Sequence, residues 1–202
     1  MRLSMPVARS AARPRGMPMP SSSTPREHPP PAGLGARCGQ IELLVLDVDG
    51  VLTDGLIVID DDGIESKRFH VRDGAGIALW RKAGKRAAIL SGRRSAAVDR
   101  RAAELGITLV VQGVEEKSAP LRALAAGFGL ELCQICYMGD DLADLPALAL
   151  AGLAACPADA APEVCAAVHY VAARPGGRGA VREVVELVLG HQELWQQLVV
   201  PS

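Results

Sequence analysis

A chain of 202 residues with a formal net charge of −1 carries no cationic excess to hold a nucleic-acid backbone. Aromatic residues make up 3%, too few for the stacking platforms of single-strand binders, whereas 49% hydrophobic residues can build a buried core. No apolar run approaches the ~20 residues of a membrane-spanning helix, so neither nucleic acid nor membrane is expected as a partner.

Residues 1–39 are rich in Pro, Ser, Ala and Arg, lack helical or strand periodicity, and are expected to form a disordered tail. Arg2, Arg9, Arg13, Arg15 and Arg26 precede the first acid, Glu27, a composition shared by organelle transit peptides and by Ala/Arg/Pro-biased bacterial tails. Residues 40–190 are expected to form one domain and 191–202 a C-terminal extension. The run Ile41 to Leu46 reads as a strand buried on both faces of a parallel sheet. It stops at Asp47 and Asp49, followed by Gly50, Thr53, Asp54 and Gly55. Carboxylates at the C-terminal end of a parallel strand face the crevice where α/β sheets bind ligands. Neither tolerates unpaired burial, so water, a cation or a substrate must meet them.

Leu56–Ile59 and Ile64–Val71 flank Asp60-Asp61-Asp62-Gly63 and read as a hairpin, placed to hang over the mouth as a flap. The three aspartates lack the other ligands of a calcium loop and read as a solvated turn. Asp73 is expected to cap a helix that runs to Gly84. Arg86–Leu90 is the second central strand and ends at Ser91-Gly92-Arg93-Arg94-Ser95, with Ser95 capping the helix through Leu105. Ile107–Val111 is a third strand, and Lys117 stands where the next helix opens. Gln134–Met138 is a fourth and ends in Gly139-Asp140-Asp141-Leu142-Ala143-Asp144. Short strands at Gly152–Cys156 and Ala167–Val171 follow, and Pro175–Val181 leads into an amphipathic helix through Leu189.

Strands alternating with helices imply an α/β, Rossmann-like, doubly wound parallel sheet. About forty residues separate Asp47 from Ser91 and about two dozen separate Gly92 from Lys117, gaps too small for a further domain of ~50 residues. No cap domain is therefore expected. The five cysteines are odd in number and scattered, as in a reducing cytosol. Cys133 and Cys136, three apart in an apparent strand, would point to opposite faces and read as core thiols, not zinc ligands. His70 and His169 show no zinc spacing and read as structural.

The pattern Asp47-x-Asp49-Gly50-x-x-Thr53-Asp54-Gly55 resembles the first motif of the haloacid dehalogenase-type phosphatases, and Ser91, Lys117 and Gly139-Asp140-Asp141 match the later ones. The resemblance implies Asp47 as nucleophile, Asp49 as general acid and base, and Ser91 and Lys117 as holders of the phosphoryl group. It implies Mg²⁺ bound by Asp47, the Asp49 backbone carbonyl and Asp140, with Asp141 as a further ligand or an orienting group. Asp144 either supports that shell or caps a helix. The chemistry agrees: a carboxylate nucleophile splits one hard hydrolysis into two easier steps, and an oxygen-rich mouth suits Mg²⁺. Phe69-His70-Val71-Arg72-Asp73-Gly74 and Gly176-Gly177-Arg178-Gly179-Ala180-Val181-Arg182-Glu183 narrow the likeness. With the four motifs they look like the family of 3-deoxy-D-manno-octulosonate 8-phosphate phosphatases, over roughly Ile41 to Gly190. That family implies a capless, cytoplasmic homotetramer that releases phosphate from the sugar-acid ester in lipopolysaccharide precursor synthesis. Arg72, Arg93 and Arg178 are then candidates for the substrate's carboxylate and hydroxyls, reaching it from the same or from an adjacent subunit. A phosphatase of nine-carbon sialic-acid-type 9-phosphates and a non-catalytic assembly module are the alternatives.

Overall fold

A computed structural model describes residues 33–199. Leu34–Gln40 (α1) leads into Leu43–Leu46 (β1), and the hairpin strands Val58–Ile59 (β2) and Glu65–Ser66 (β3) follow. Next come Val71–Lys82 (α2), Arg86–Ser91 (β4), Ala96–Leu105 (α3), Leu109–Gln112 (β5) and Ser118–Phe128 (α4). Ile135–Met138 (β6), Leu145–Leu148 (α5), Leu153–Cys156 (β7), Pro162–Ala167 (α6) and Tyr170–Val171 (β8) continue the alternation, which ends with Ala180–His191 (α7) and Trp195–Val199 (α8). The main sheet is parallel with strand order β5-β4-β1-β6-β7-β8, and β2 and β3 pair antiparallel beside it.

Side chains alternate across a strand, so β1 serves two cores at once. Leu44 and Leu46 pack with Ile77 and Trp80 of α2 and Val184, Val185 and Val188 of α7. Leu43 and Val45 pack with Leu121 and Leu124 of α4 and Val164 of α6. Helices therefore cover both faces, which is the doubly wound architecture expected from the alternation. No other domain interrupts the gaps between motifs; the first holds the hairpin, α2 and β4.

The ends of the domain differ from expectation. Leu34–Gln40 is helical, not part of a structureless tail: Cys38 is buried in the core, and Arg37 donates to the Gly152 carbonyl at 2.7 Å. Gln192, placed in the extension, donates to the carbonyls of Cys38 and Ile41, and Trp195 and Leu198 pack on the same core. One buried thiol and one leucine anchor α1, too few apolar residues to register as a period. The rest of the expected tail, residues 1–32, lies outside the described residues.

Three local readings also change. His70, not Asp73, caps α2, accepting the Arg72 N–H at 3.2 Å. Asp73 is buried and caps α7 instead, its two oxygens accepting the N–H groups of Gly179 (3.1 Å) and Arg182 (3.0 Å). Ser95 occupies the cap position of α3 without a side-chain bond; the Gln112 side chain accepts its N–H at 2.9 Å. Cys133 sits in a 3₁₀ turn before β6, while Cys136 is buried within the strand. Asp60 accepts the N–H groups of Asp62 and Ile64, so the acidic turn closes on itself.

The loop before α7 is wedged beneath the turn that follows β1. Gly177 adopts φ +59° and donates to the Val51 carbonyl at 2.9 Å. A Cβ on Gly176 would enter the Gly50 carbonyl, so only glycine lets the two loops approach. Asp73 locks this arrangement from the opposite side. Asp73→Ala leaves two helix-start N–H groups unmatched and is expected to cost about 2 kcal/mol of stability, read as a lower midpoint in thermal or urea unfolding. An unchanged midpoint would show that α7 is held by its apolar face alone.

Candidate active site

Parallel pairing of β1 with β4 and β6 brings three strand ends together, with Leu46 opposite Ile89 and Met138. Asp47 follows β1 and remains in the ladder, donating its N–H to the Met138 carbonyl at 3.0 Å. It is 6% exposed, and Ser91 at the end of β4 is also buried. Lys117, directly before α4 and 4% exposed, points its ammonium at Asp47 Oδ1 (2.9 Å) and Asp144 Oδ1 (2.6 Å). Asp47, Asp49, Ser91, Lys117 and Asp140 line one cavity of about 550 Å³.

Asp144 is saturated by donors. Its Oδ1 accepts from Lys117 and from the Tyr137 hydroxyl at 2.5 Å, and its Oδ2 accepts the N–H groups of Asp140 (3.0 Å) and Asp141 (3.2 Å). It thereby fixes the loop that carries Asp140, whose carboxylate lies where a Cβ on Gly50 would be. Asp141, expected at the metal, is exposed and accepts the Leu142 N–H, capping a 3₁₀ turn. The acids whose oxygens converge are Asp47, Asp140 and Asp144.

Negative charge exceeds positive charge here. Burial, and then the charges of Asp47, Asp144 and Asp141, push Asp140 up to about 8; the Lys117 ammonium opposes this most weakly. Asp47 rises to about 6, because burial outweighs the adjacent ammonium. Burial works against the charge on Lys117, but Asp47 and Asp144 overcome it and its pKa is raised. Two carboxylates competing for one cation, with oxygen donors converging, fit a hard divalent ion. Asp47 and Asp140 are the acids free to hold it, since Asp144 is occupied.

The mouth carries a second charge cluster. Lys67, just after β3, is bonded to Asp49 Oδ1 and lies 2.8 Å from Glu65 Oε1. Arg93 reaches Glu65 Oε2 at 2.9 Å and stands 3.8 Å from Asp49 Oδ2. Burial disfavours the Lys67 ammonium, yet its bonds to Asp49 and Glu65 prevail and raise its pKa. Of the arginines expected to meet substrate, Arg93 lines this cavity. Arg72 lines a different and larger one, of about 710 Å³, with Arg174, Arg182, Glu183 and Glu186. That cavity holds none of Asp47, Asp49, Ser91 and Lys117. Arg178 is exposed and lies outside both linings, between two glycines of positive φ, Gly177 and Gly179.

Sequence reading missed Lys67, Glu65 and Tyr137. Glu65 and Lys67 are spaced i, i+2, which places both on one face of the hairpin strand, and that spacing was the available signal. Tyr137 looked like ordinary core. His169 has the structural role expected, accepting the Ala154 N–H at 2.9 Å.

No family model matches the chain. It is 44% identical over 157 residues to the 3-deoxy-D-manno-octulosonate 8-phosphate phosphatase of Yersinia pestis, covering 78% of this chain and 84% of that protein. The chain belongs to the 3-deoxy-D-manno-octulosonate 8-phosphate phosphatase family. The family's phosphatase from Moraxella catarrhalis, solved with a magnesium ion, a phosphate ion and a KDO molecule, superposes with a TM-score of 0.80 at 40% identity. That match covers 82% of this chain and 95% of the other. A Legionella pneumophila protein described as a HAD-superfamily (subfamily III A) hydrolase gives a TM-score of 0.81 at 40% identity, over 82% and 91% of the two chains. The family's haloacid dehalogenase fold is thus the doubly wound sheet described above.

The raised carboxyls make a testable link between pH and stability. Their ordinary value is 3.8, so folding binds extra protons. That contribution is fully present below about pH 4 and is lost as pH rises through about 6 and then about 8. In chelator, the melting temperature is expected to fall from pH 5 to pH 9, and Asp140→Asn to flatten the upper part of the fall. A wild-type midpoint independent of pH over that range would refute the charge crowding.

Proposed function

We propose that the chain hydrolyses 3-deoxy-D-manno-octulosonate 8-phosphate to the free sugar acid and inorganic phosphate, through an aspartyl-phosphate on Asp47. The observation that carries this reading is the buried Asp47–Lys117 pair at a cavity also lined by Asp49 and Ser91. Family membership makes the chain a phosphomonoesterase; the named relatives supply the substrate. Mg²⁺, held by Asp47, Asp140 and the Asp49 backbone carbonyl, would keep both carboxyls ionised and offset charge on the phosphoryl oxygens.

The residues divide the work. An oxygen of Asp47 attacks phosphorus as the bond to the sugar oxygen breaks, while Ser91 and Lys117 hold the phosphoryl oxygens. Asp49 gives its proton to the departing sugar oxygen. Its carboxylate then takes a proton from water, whose oxygen attacks phosphorus and breaks the bond to Asp47. Phosphate leaves, Asp47 is again a carboxylate and Asp49 again carries a proton. Arg93 is assigned to the sugar acid's carboxylate, at the price of its bond to Glu65.

The same reading extends to assembly and location. Leu56, Ile57, Val58, Ile59 and Ile64 are between 46% and 61% exposed on the hairpin, an apolar surface that supports a homotetramer. All five cysteines are free thiols, which supports a cytoplasmic enzyme whose product enters lipopolysaccharide precursor synthesis. Among the described residues no helix is long and apolar enough to cross a membrane.

Phosphate release with Mg²⁺ tests the proposal, with the eight-carbon and nine-carbon sugar-acid phosphates offered side by side. We expect kcat/KM to favour the eight-carbon ester, and both chelation and Asp47→Asn to abolish turnover in a folded protein. Preference for the nine-carbon ester would change the substrate and keep the mechanism. Turnover retained by Asp47→Asn would remove the nucleophile.

A further inference from the structure

Lys67 belongs to a hairpin that shows apolar residues to solvent, yet its own side chain is 2% exposed. An ammonium is buried this far only where partners replace its water. Its partners are Asp49 and Glu65, and Arg93 closes the cluster from the other side, giving two acids and two bases. The two oxygens of Asp49 are not equivalent. Oδ1 is bonded by Lys67, whereas Oδ2 has Arg93 at 3.8 Å, beyond hydrogen-bonding distance.

We propose that Lys67 is a positioning residue for departure of the leaving group: by holding Asp49 Oδ1 it presents Oδ2 to the sugar oxygen. The inference rests on the reading of Asp49 as the acid given above. Without Lys67, Asp49 faces Arg93 as its neighbouring cation, and a small side-chain rotation lets that guanidinium bond Oδ2. The oxygen that must reach the substrate is then occupied. In this capless enzyme the chain's own hairpin completes the catalytic set.

Protonation matters in proportion to how poor the leaving group is. A sugar alkoxide departs slowly without a proton, whereas 4-nitrophenolate needs none. Lys67→Met is therefore expected to lower kcat on the eight-carbon sugar-acid phosphate on the order of 10- to 100-fold, and on 4-nitrophenyl phosphate by about threefold or less. Lys67→Arg should recover most of the loss, since it restores a donor to Oδ1. Arg68→Met is the control. Arg68 ties the same hairpin to Asp54 at 2.6 Å without touching Asp49, so its removal disturbs hairpin docking alone.

Equal losses on both esters in Lys67→Met, or no loss on either, would overturn the assignment. A leaving-group-dependent loss in Arg68→Met as well would assign the effect to hairpin docking and overturn it too. Wild-type protein that releases no phosphate from the sugar-acid ester would instead overturn the functional reading on which this one stands.

Discussion

One ammonium group, that of Lys117, holds the centre of this protein together. It is bonded to Asp47 and Asp144, and all three side chains are almost wholly removed from water. An isolated carboxylate or ammonium at such depth would lose its charge rather than persist. Here the groups are paired, and each arrives from a different element: Asp47 from the end of β1, Lys117 from the start of α4, Asp144 from the turn after β6. Removing the cation would leave uncompensated buried acids.

The compensation is deliberately incomplete. One lysine cannot neutralise Asp47, Asp140 and Asp144, and the remainder falls on Asp140, the acid least influenced by Lys117. That residual charge makes the inner cluster a seat for a divalent ion. The outer cluster at the mouth balances, with Lys67 and Arg93 facing Asp49 and Glu65. Two aspartates two residues apart thus live in different surroundings, one buried against an ammonium and one at the edge of the cavity.

The scaffold around these clusters limits their movement. Asp144 joins the loop bearing Asp140 to Lys117 and Tyr137, and the glycine loop before α7 seats against the turn after β1. Asp73 then secures that glycine loop through α7. Each contact crosses between elements far apart in the chain. The geometry of the site therefore depends on the fold as a whole.

The sequence by itself determined the parallel sheet, the hairpin, the lack of a cap and the positions of Asp47, Asp49, Ser91, Lys117 and Asp140. These are local signals: a buried strand reads as a continuous apolar run, and charged or hydroxyl residues at its end stand out against it. Only the tertiary structure decided which acid partners which base. Asp73 looked like the cap of its own helix and serves another; Asp141 looked like a further ligand or an orienting group and caps a turn at the cavity, while its neighbour Asp144 carries the central bonds. Of Arg72, Arg93 and Arg178, Arg93 lines the cavity of its own chain. Lys67 and Tyr137 gave little sign at all. Ion pairs and hydrogen bonds act over a few ångströms between groups separated by tens of residues, so their partners become readable only once the chain has folded.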